Sequence, residues 1–329
     1  MDINYWEMDK HAEINTSYRV GFLLIDGFAL LSYASAVEPL RAANVLAQKT
    51  IYDVRAVSVA GDHAVSSSGA IVPATPVADK PFDLDLVFVV AGGDPVAFRD
   101  AAVFRWLRQI AQRGVMLAGV SGGPVILASA GLMEGRRMTV HWEHRAMLAE
   151  ISPALMIEHS LYVIDRDRMT CAGGIAALDM LYALLADHHG YAFARKVSDW
   201  FMHTEVRPSA GPQRAGVGER FNTTSAPLIR AIGAMEDHLA DLLDLAQLAR
   251  LAEVSPRQLS RLFRDKLGLS AMDFYRKLRL EKAQMLLKQS SLNVTQIALS
   301  TGFANSAHFA AAFREQFGST PSSIRPRKK

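Results

Sequence analysis

The chain has 329 residues, half of them hydrophobic, a single cysteine and a net charge of +3. That length suggests about two domains, with ample apolar side chains for buried cores. Lone Cys171 excludes an internal disulfide, and no apolar run reaches the roughly 18 residues of a membrane-spanning helix.

The first 17 residues, MDINYWEMDKHAEINTS, are polar and charged with no apolar signal core, so they read as a flexible N-terminus and the expected location is the cytoplasm, away from membranes. Arg19–Ile25 (RVGFLLI) predicts a buried strand stopped by Asp26-Gly27, and Tyr33–Gln48 has helical spacing with Val37, Leu40 and Val45 on one face. Val54–Val59 and Leu84–Val90 (LDLVFVV) predict two more strands, the latter closed by Gly92-Gly93. Phe104–Gln112 is helical. Val115–Val120 is a further strand, running through Ser121-Gly122-Gly123 into a helix over Val125–Ala130 that Gly131 caps. Ile175–His188 predicts a long apolar helix stopped by Gly190. Alternating strands and helices imply an α/β domain over residues 18–204, with a parallel sheet covered on both faces.

Residues 205–226, rich in Gly, Pro, Ser and Thr and without periodicity, predict a linker; residues 227–329 are helical throughout. The charge divides at the same place. From Arg220 onward there are 17 Lys and Arg against 9 Asp and Glu, whereas the preceding residues carry 19 against 24. A basic C-terminal part points to a polyanionic partner.

This helical part repeats. Leu248-Ala249 and Val254 match Ile297-Ala298 and Phe303 at an offset of 49, and Leu259, Phe263, Arg264 and Gly268 match Phe309, Phe313, Arg314 and Gly318 at an offset of 50. Each copy predicts helix, tight turn, helix. In the first, Leu245, Leu248, Ala249 and Ala252 form an apolar stripe, Ser255 caps a second helix with Pro256 at its first position, and Leu259, Leu262 and Phe263 point inward. Arg257, Ser260, Arg261 and Arg264 are left facing away. In the second, Ile297 and Ala298 pack, Gly302 permits a left-handed turn, Asn305 or Ser306 caps, and Phe309 and Phe313 anchor. Met272–Leu287 predicts one amphipathic helix between the copies, about 24 Å long, a strut suited to placing two reading helices in successive major grooves.

The run from Leu248 through VTQIALSTGFANSAHFAAAFREQFGSTPSSIR resembles the AraC/XylS family DNA-binding domain. That resemblance implies a double helix-turn-helix module that binds double-stranded promoter DNA, commonly as a homodimer working with RNA polymerase. It also implies base-edge contacts at Arg257, Ser260 and Arg261, and at Ser306, Ala307, Ala310 and Ala311 in the second copy. Arginine grips guanine with two hydrogen bonds whereas alanine only touches a thymine methyl. The first copy is therefore expected to supply most sequence readout, with the second clamping the backbone through Asn305, His308 and Arg314.

In the α/β domain, Gly119-Val120-Ser121-Gly122-Gly123 fits G-x-S-x-G between a strand and a helix, the context of a nucleophile elbow. His141, Trp142, Glu143 and His144 lie in a nearby run, and Glu38 sits on the first helix. Two interpretations stay open on the residues alone: a hydrolase with Ser121 as nucleophile, His141 as base and Glu38 or Glu143 as orienter, or a glycine-rich turn at a strand end. The domain is similar to the PfpI-type, class I glutamine amidotransferase-like superfamily, a flavodoxin-like sandwich. Its enzymes place cysteine at the elbow, histidine shortly after, and glutamate on the first helix; serine at 121 departs from that pattern. The whole chain resembles the GlxA group of regulators, in which such a domain is a sensor rather than an enzyme. SGGP, GRRMTVHWEH and CAGGIAALDMLYALLADHHG resemble regulators of glycine betaine, carnitine and arginine catabolism. The resemblance implies an amino-acid-like or quaternary-ammonium effector on Glu38, Ser121, Gly122, Gly123, His141, Trp142 and Glu143, and an activator role. No cofactor or metal is expected. Cys171 is expected to be an inert buried thiol, Asp26 to cap a turn, and His188, His189, His203 and His238 to lie at helix ends or on the surface.

Overall fold

The computed structural model describes residues 17–77, 83–289 and 292–325. The expected flexible start therefore lies outside the described residues save for Ser17. The chain divides into two compact units between Gln213 and Arg214.

The first unit opens with β1 (Tyr18–Leu24), α1 (Leu30–Ala47), β2 (Tyr52–Ser58), the hairpin β3 (His63–Val65) and β4 (Ile71–Pro73), and β5 (Thr75–Pro76). Then come β6 (Leu86–Ala91), α2 (Ala101–Gln112), β7 (Met116–Ser121), α3 (Gly123–Ser129), β8 (Arg137–Met138), α4 (Trp142–Ile151), β9 (Met156–Ile157), β10 (Tyr162–Asp165), β11 (Arg168–Cys171), α5 (Ala176–His189) and α6 (Tyr191–Trp200).

The seven-stranded sheet runs β10-β11-β7-β6-β1-β2-β5. Its pairings are parallel except for β10 against β11, an antiparallel edge formed by a short hairpin through Arg166, whose φ is +58°. The apolar runs are continuous because both faces are covered. Val20, Phe22, Leu24, Leu86, Phe88 and Val90 enter one core, packed under α1, α5 and α6. Leu23, Val57, Val87, Val89 and Leu117 enter the other, under α2, α3 and α4. Successive residues alternate between the cores, as the two-residue pleat requires. The chain winds outward in opposite directions from β1 and β6, so the carboxyl ends of these strands flank a topological switch point, where open α/β sheets bind ligands.

The second unit holds α7 (Val217–Arg220), α8 (Ala226–Asp237), α9 (Leu245–Leu251), α10 (Pro256–Leu267), α11 (Ala271–Gln289), α12 (Val294–Ser300), α13 (Ser306–Phe317) and α14 (Pro321–Ile324). It has two small cores bridged by α11. The amino half of that helix gives Phe274 and Tyr275 to the core of Leu248, Leu259 and Phe263. Its carboxyl half gives Leu280, Ala283, Leu286 and Leu287 to the core of Ile297, Phe309 and Phe313.

Ser255 and Asn305 cap α10 and α13 as expected, and Asp244 and Asn293 cap the preceding α9 and α12. Asp244, Ser255 and Asn293 form capping boxes with Gln247, Gln258 and Gln296, and Asn305 accepts from the His308 N–H. Gly268 and Gly318 end α10 and α13 in the left-handed conformation. The repeat extends further than the apolar pattern indicates. Arg230 on α8 donates to the carbonyl of Ala252 at 2.9 Å, and Arg279 on α11 donates to that of Thr301 at 2.6 Å. Both arginines and both carbonyls are 49 residues apart, so each copy is a three-helix unit whose first helix supplies an arginine to close the next helix's end.

Candidate DNA interface and effector site

On α10, positions 257, 261 and 264 recur at i, i+4 and i+7 and so share one stripe. Arg257, Arg261 and Arg264 are all exposed there, with half-buried Ser260 beside them. None of the three guanidiniums has an ion-pair or hydrogen-bond partner among the described residues. On α13 the equivalent stripe holds Ala307, Ala311 and Arg314, with Ala310 in the place of Ser260. Ser306 is half-buried in the first turn of α13. The Asn305 Oδ1 is committed to the cap, 2.8 Å from the His308 nitrogen, which leaves its amide NH2 outward. The exposed His308 ring stands edge-on to Phe303. Two helices of one geometry thus carry different chemistry: three fork-shaped donors on the first, one on the second. Around the second turn, Arg279 lies 4.1 Å above the Phe303 ring while its Nε holds Thr301. Burial lowers the Arg279 pKa from its ordinary value, though an arginine stays charged.

Ser121 ends β7 with φ +61°, the left-handed strain of an elbow. The glycines after it are forced by packing. A Cβ on Gly123 would stand 1.9 Å from the Val89 carbonyl oxygen, and one on Gly122 would meet Pro95 at 3.0 Å. The Gly122 N–H donates to Ala91 at 3.0 Å, so it is already engaged within the sheet. The α1 side chain that reaches the elbow is Ser32, which the sequence did not single out. It is buried, and its hydroxyl accepts from the Gly174 N–H at 2.7 Å. A Cβ on Gly173 (φ +97°) would stand 2.7 Å from the Cβ of Ser121 and 3.0 Å from the Ser32 oxygen. Ser121, Ser32 and the Gly173-Gly174 turn are therefore one close-packed cluster. Glu38 pairs instead with Arg41 at 2.6 Å, and no hydrogen bond joins it to this cluster among the described residues. Its charge, together with burial as the larger cause, raises the Tyr33 pKa.

Sheet register places His141. Backbone nitrogens of Arg137 and Thr139 donate to Asp165 and to the Thr170 hydroxyl at 2.8 and 2.9 Å. Residues 137–139 thus run alongside β11, where Thr170 is paired with Gly119. Two residues further along each chain, His141 and Ser121 emerge at the same end of the sheet. His141 caps α4, its Nδ1 accepting from the Glu143 N–H at 3.4 Å and lying 3.7 Å from the Glu143 carboxylate. Burial lowers its pKa against the opposing pull of Glu143. Trp142 and Glu143 are half-buried, and the Trp142 ring lies 5.4 Å from that of His141. No hydrogen bond links His141 to Ser121 among the described residues, so the hydroxyl lacks the base a serine nucleophile needs.

Burial pushes the Cys171 thiol up to about 12, and its sulfur accepts from the Gly173 N–H, so it is inert. Asp26 does not cap its own turn: it accepts from the Val65 N–H at 2.9 Å, 39 residues away, and so ties the turn after β1 to β3. His188 and His189 flank the buried Tyr52 hydroxyl at 2.9 and 3.0 Å. His203 is not a simple surface residue: with Arg207 it grips the fully buried Asp179 in the first turn of α5, at 2.9 Å and 2.6 Å.

Residues 248–327 match the helix-turn-helix domain model and residues 18–187 the DJ-1/PfpI family model. The chain is 44% identical over 310 residues to the HTH-type transcriptional regulator GlxA of Rhizobium meliloti, covering 94% of this chain and 96% of that protein. It is 38% identical over 304 residues to the HTH-type transcriptional regulator CdhR of Pseudomonas aeruginosa, covering 92% and 90%. Among solved structures, that of an AraC family transcriptional regulator from Pseudomonas putida aligns with a TM-score of 0.51 and 28% identity, over 56% of this chain and 99% of that one.

Proposed function

This chain belongs to the AraC-type helix-turn-helix regulators that carry a DJ-1/PfpI domain, and we propose that within that family it is an effector-responsive activator whose first helix-turn-helix selects the operator. It acts as a transcription regulator and not as an enzyme. The observation that carries the DNA assignment is the unpartnered arginine stripe of α10 beside the alanine stripe of α13. Each bidentate arginine–guanine contact is worth about 1–3 kcal/mol of discrimination. Arg257, Ser260 and Arg261 read bases, with Arg264 at the edge of the same stripe; Ser306 faces base edges from the second copy, while Asn305, His308 and Arg314 hold phosphates.

The effector is of the amino-acid or quaternary-ammonium class, such as glycine betaine, carnitine or arginine, and lies where Ser121 and His141 share an end of the sheet. Trp142 offers an aromatic face to a cation, worth roughly 0.5–2 kcal/mol, and Glu143 an opposing charge. Ser121, beside Gly122 and Gly123, offers a hydroxyl without a hydrogen-bond partner among the described residues; Glu38 adds a carboxylate from α1. Two copies occupy paired half-sites in the cytoplasm and engage RNA polymerase, with the exposed Tyr191, Trp200 and Met202 of the first unit available for self-association.

Selection of a tight-binding duplex from a random pool, followed by titration of Arg261→Ala and Ala311→Arg against it, tests the DNA half. Arg261→Ala is expected to lose about tenfold or more on the selected site and to relax preference at one base pair. Equal and small effects of both changes would refute the division of labour. Thermal melting with glycine betaine, L-carnitine and L-arginine tests the effector half. Occupancy at a hundredfold over Kd stabilises the binding unit by about 2.7 kcal/mol. Ser121→Ala retaining ligand-dependent transcription is the expected result for a sensor; transcription that requires a Ser121-dependent turnover would contradict it.

A further inference from the structure

The last residues of the first unit form a strap, and its fastenings are unequal. At one end, the Asp179 carboxylate, fully buried, receives the backbone N–H, Nε and Nη2 of Arg207 together with the His203 ring. In the middle, Leu161 N–H donates to Ser209 at 2.7 Å, and Gly211 packs so closely on Leu161 that an added Cβ would stand 2.9 Å from its side chain. At the far end, the Gln213 Nε2 faces three acceptors: the Thr139 hydroxyl at 3.1 Å, the Val140 carbonyl at 3.1 Å and the Ser160 carbonyl at 2.7 Å. Thr139 is itself fully buried, its hydroxyl donating to Ser160 and its N–H to Thr170. The Gln213 side chain therefore pins the segment leading directly into His141, Trp142 and Glu143.

The same amide carries a cost. Its Oε1 is buried and has no hydrogen-bond partner among the described residues. A buried carbonyl left unpaired offsets part of what the NH2 group gains, so this end of the strap is fastened by one side-chain amide, whereas Asp179 takes four hydrogen bonds at the other. Gln213 is also the final residue of the first unit, joined by one peptide bond to Arg214, where the DNA-binding unit begins.

We propose that Gln213 is a positioning residue for the effector-site loop, and that its docking between Thr139, Val140 and Ser160 couples the order of that loop to the chain entering the DNA-binding unit. The proposal rests on residues 141–143 lining the effector site. A ligand that orders the loop favours the docked strap, and reciprocity requires that DNA binding, by acting on the strap, alters the loop in return. The unequal fastenings make the exchange local: Gln213 can leave while Arg207 keeps the strap on the domain.

Hydrogen exchange on the full chain tests this with wild type, Gln213→Ala and Gln213→Glu, the last setting an oxygen against three acceptors. The amides of residues 140–144 are expected to exchange about five- to tenfold faster in both variants, the effect of losing one net hydrogen bond, with β1, β6 and β7 still protected. If those strands lose protection, the shorter Gln213→Asn replaces the failed variant. Adding the duplex selected for tight binding is expected to change exchange in 140–144 of wild type but not of Gln213→Ala, a response that mere packing would not produce. Wild-type exchange of the loop in folded variants, or an equal response to DNA with and without Gln213, overturns the coupling. Adding glycine betaine, L-carnitine and L-arginine separates the two claims. If none protects wild type, the effector assignment fails, while the variant and DNA measurements still decide the role of Gln213.

Discussion

Removing the Arg279 side chain is expected to damage the second helix-turn-helix far more than removing Arg230 damages the first, although the two occupy equivalent places in the repeat. Arg279 gives one charge-assisted hydrogen bond to the Thr301 carbonyl at 2.6 Å, and Thr301 is fully buried. Loss of such a bond costs about 1.5–3 kcal/mol. Its guanidinium carbon also lies 4.1 Å from the Phe303 ring centroid, a contact worth about 0.5–2 kcal/mol. Because one side chain makes both contacts, Arg279→Ala is expected to cost about 2–4 kcal/mol. Arg230 makes the matching bond to Ala252 at 2.9 Å, but it is 40% exposed and its second partner, Glu253 at 3.2 Å, is 75% exposed. Screened by solvent, Arg230→Ala is expected to cost about 1 kcal/mol. Because unfolding of a two-unit chain need not be two-state, native-state hydrogen exchange of the α8–α10 and α11–α13 amides is the suitable assay. Arg279→Lys keeps the charge but loses the flat face over Phe303, and is expected to recover about half the loss. If Arg279→Ala stays within about 0.5 kcal/mol of wild type, or Arg230→Ala costs as much, the arginine is not what closes these turns.

Four further outcomes rest on local geometry. The turns of the two copies pass through left-handed Glu253 (φ +59°) and Gly302 (φ +73°), which occupy equivalent positions. Glu253→Gly is expected to stabilise by about 0.5 kcal/mol, relief of about 1–2 kcal/mol being partly cancelled by glycine's unfolded-state freedom. Gly302→Ala meets the Leu239 carbonyl at 2.7 Å and is expected to cost about 2 kcal/mol or more, both read by the same exchange assay. His141 is held below its ordinary value of 6.5 by burial, so its neutral form stabilises the fold above about pH 6.5, and that contribution is lost as pH falls through the depressed value. His141→Gln should flatten the fall in melting temperature of the first unit on acidification, and an unchanged slope would remove His141 from the cause. Gly173→Ala drives a Cβ to 2.7 Å from that of Ser121 at a φ of +97°, and is expected to abolish effector-induced stabilisation while α10 still binds DNA. Retained ligand binding would place the effector elsewhere.

The sheet and the repeat were legible because burial leaves a periodic mark. Residues 19–25 and 84–90 carry apolar side chains on both faces of a covered sheet, and the pairs Phe263–Phe313 and Gly268–Gly318 mark two copies of one unit. The β10–β11 hairpin was not legible, since its polar turn through Arg166 and Asp167 resembles a loop. Nor was Ser32. A small hydroxyl accepting one backbone hydrogen bond has no pattern, whereas a carboxylate on an apolar helix, as at Glu38, stands out. The ties of Asp179 to Arg207 and of Gln213 to Thr139 escaped for the same reason, because they pair residues 28 and 74 positions apart through single contacts. The arginine clamp is the one omission with an available signal. Arg230 and Arg279 share the 49-residue offset of Leu248 and Ile297, so the repeat, followed back into α8, would have found it.

The elbow retains the costly part of a nucleophile site and lacks the reactive part. Keeping a non-glycine residue at φ +61° costs about 1–3 kcal/mol, and glycine at 119, 123 and 173 is needed to pack around it, since a Cβ at each would stand within 3.0 Å of its neighbours. Such constraint is useful when a side chain must face a ligand at a fixed place. Yet the α1 side chain in contact with the cluster is a serine already bonded to Gly174, and His141 is turned to Glu143 instead of Ser121. A hydroxyl presented rigidly without a base binds and does not attack. Rigidity at Ser121 also concentrates any ligand-driven change on the parts of the site that can move, and the segment 139–144 is the part fastened by an amide with an unsatisfied oxygen. On the proposed coupling, a stiff floor and a wall latched by one amide let the occupancy of such a site be felt outside it, which a sensor requires and a hydrolase does not.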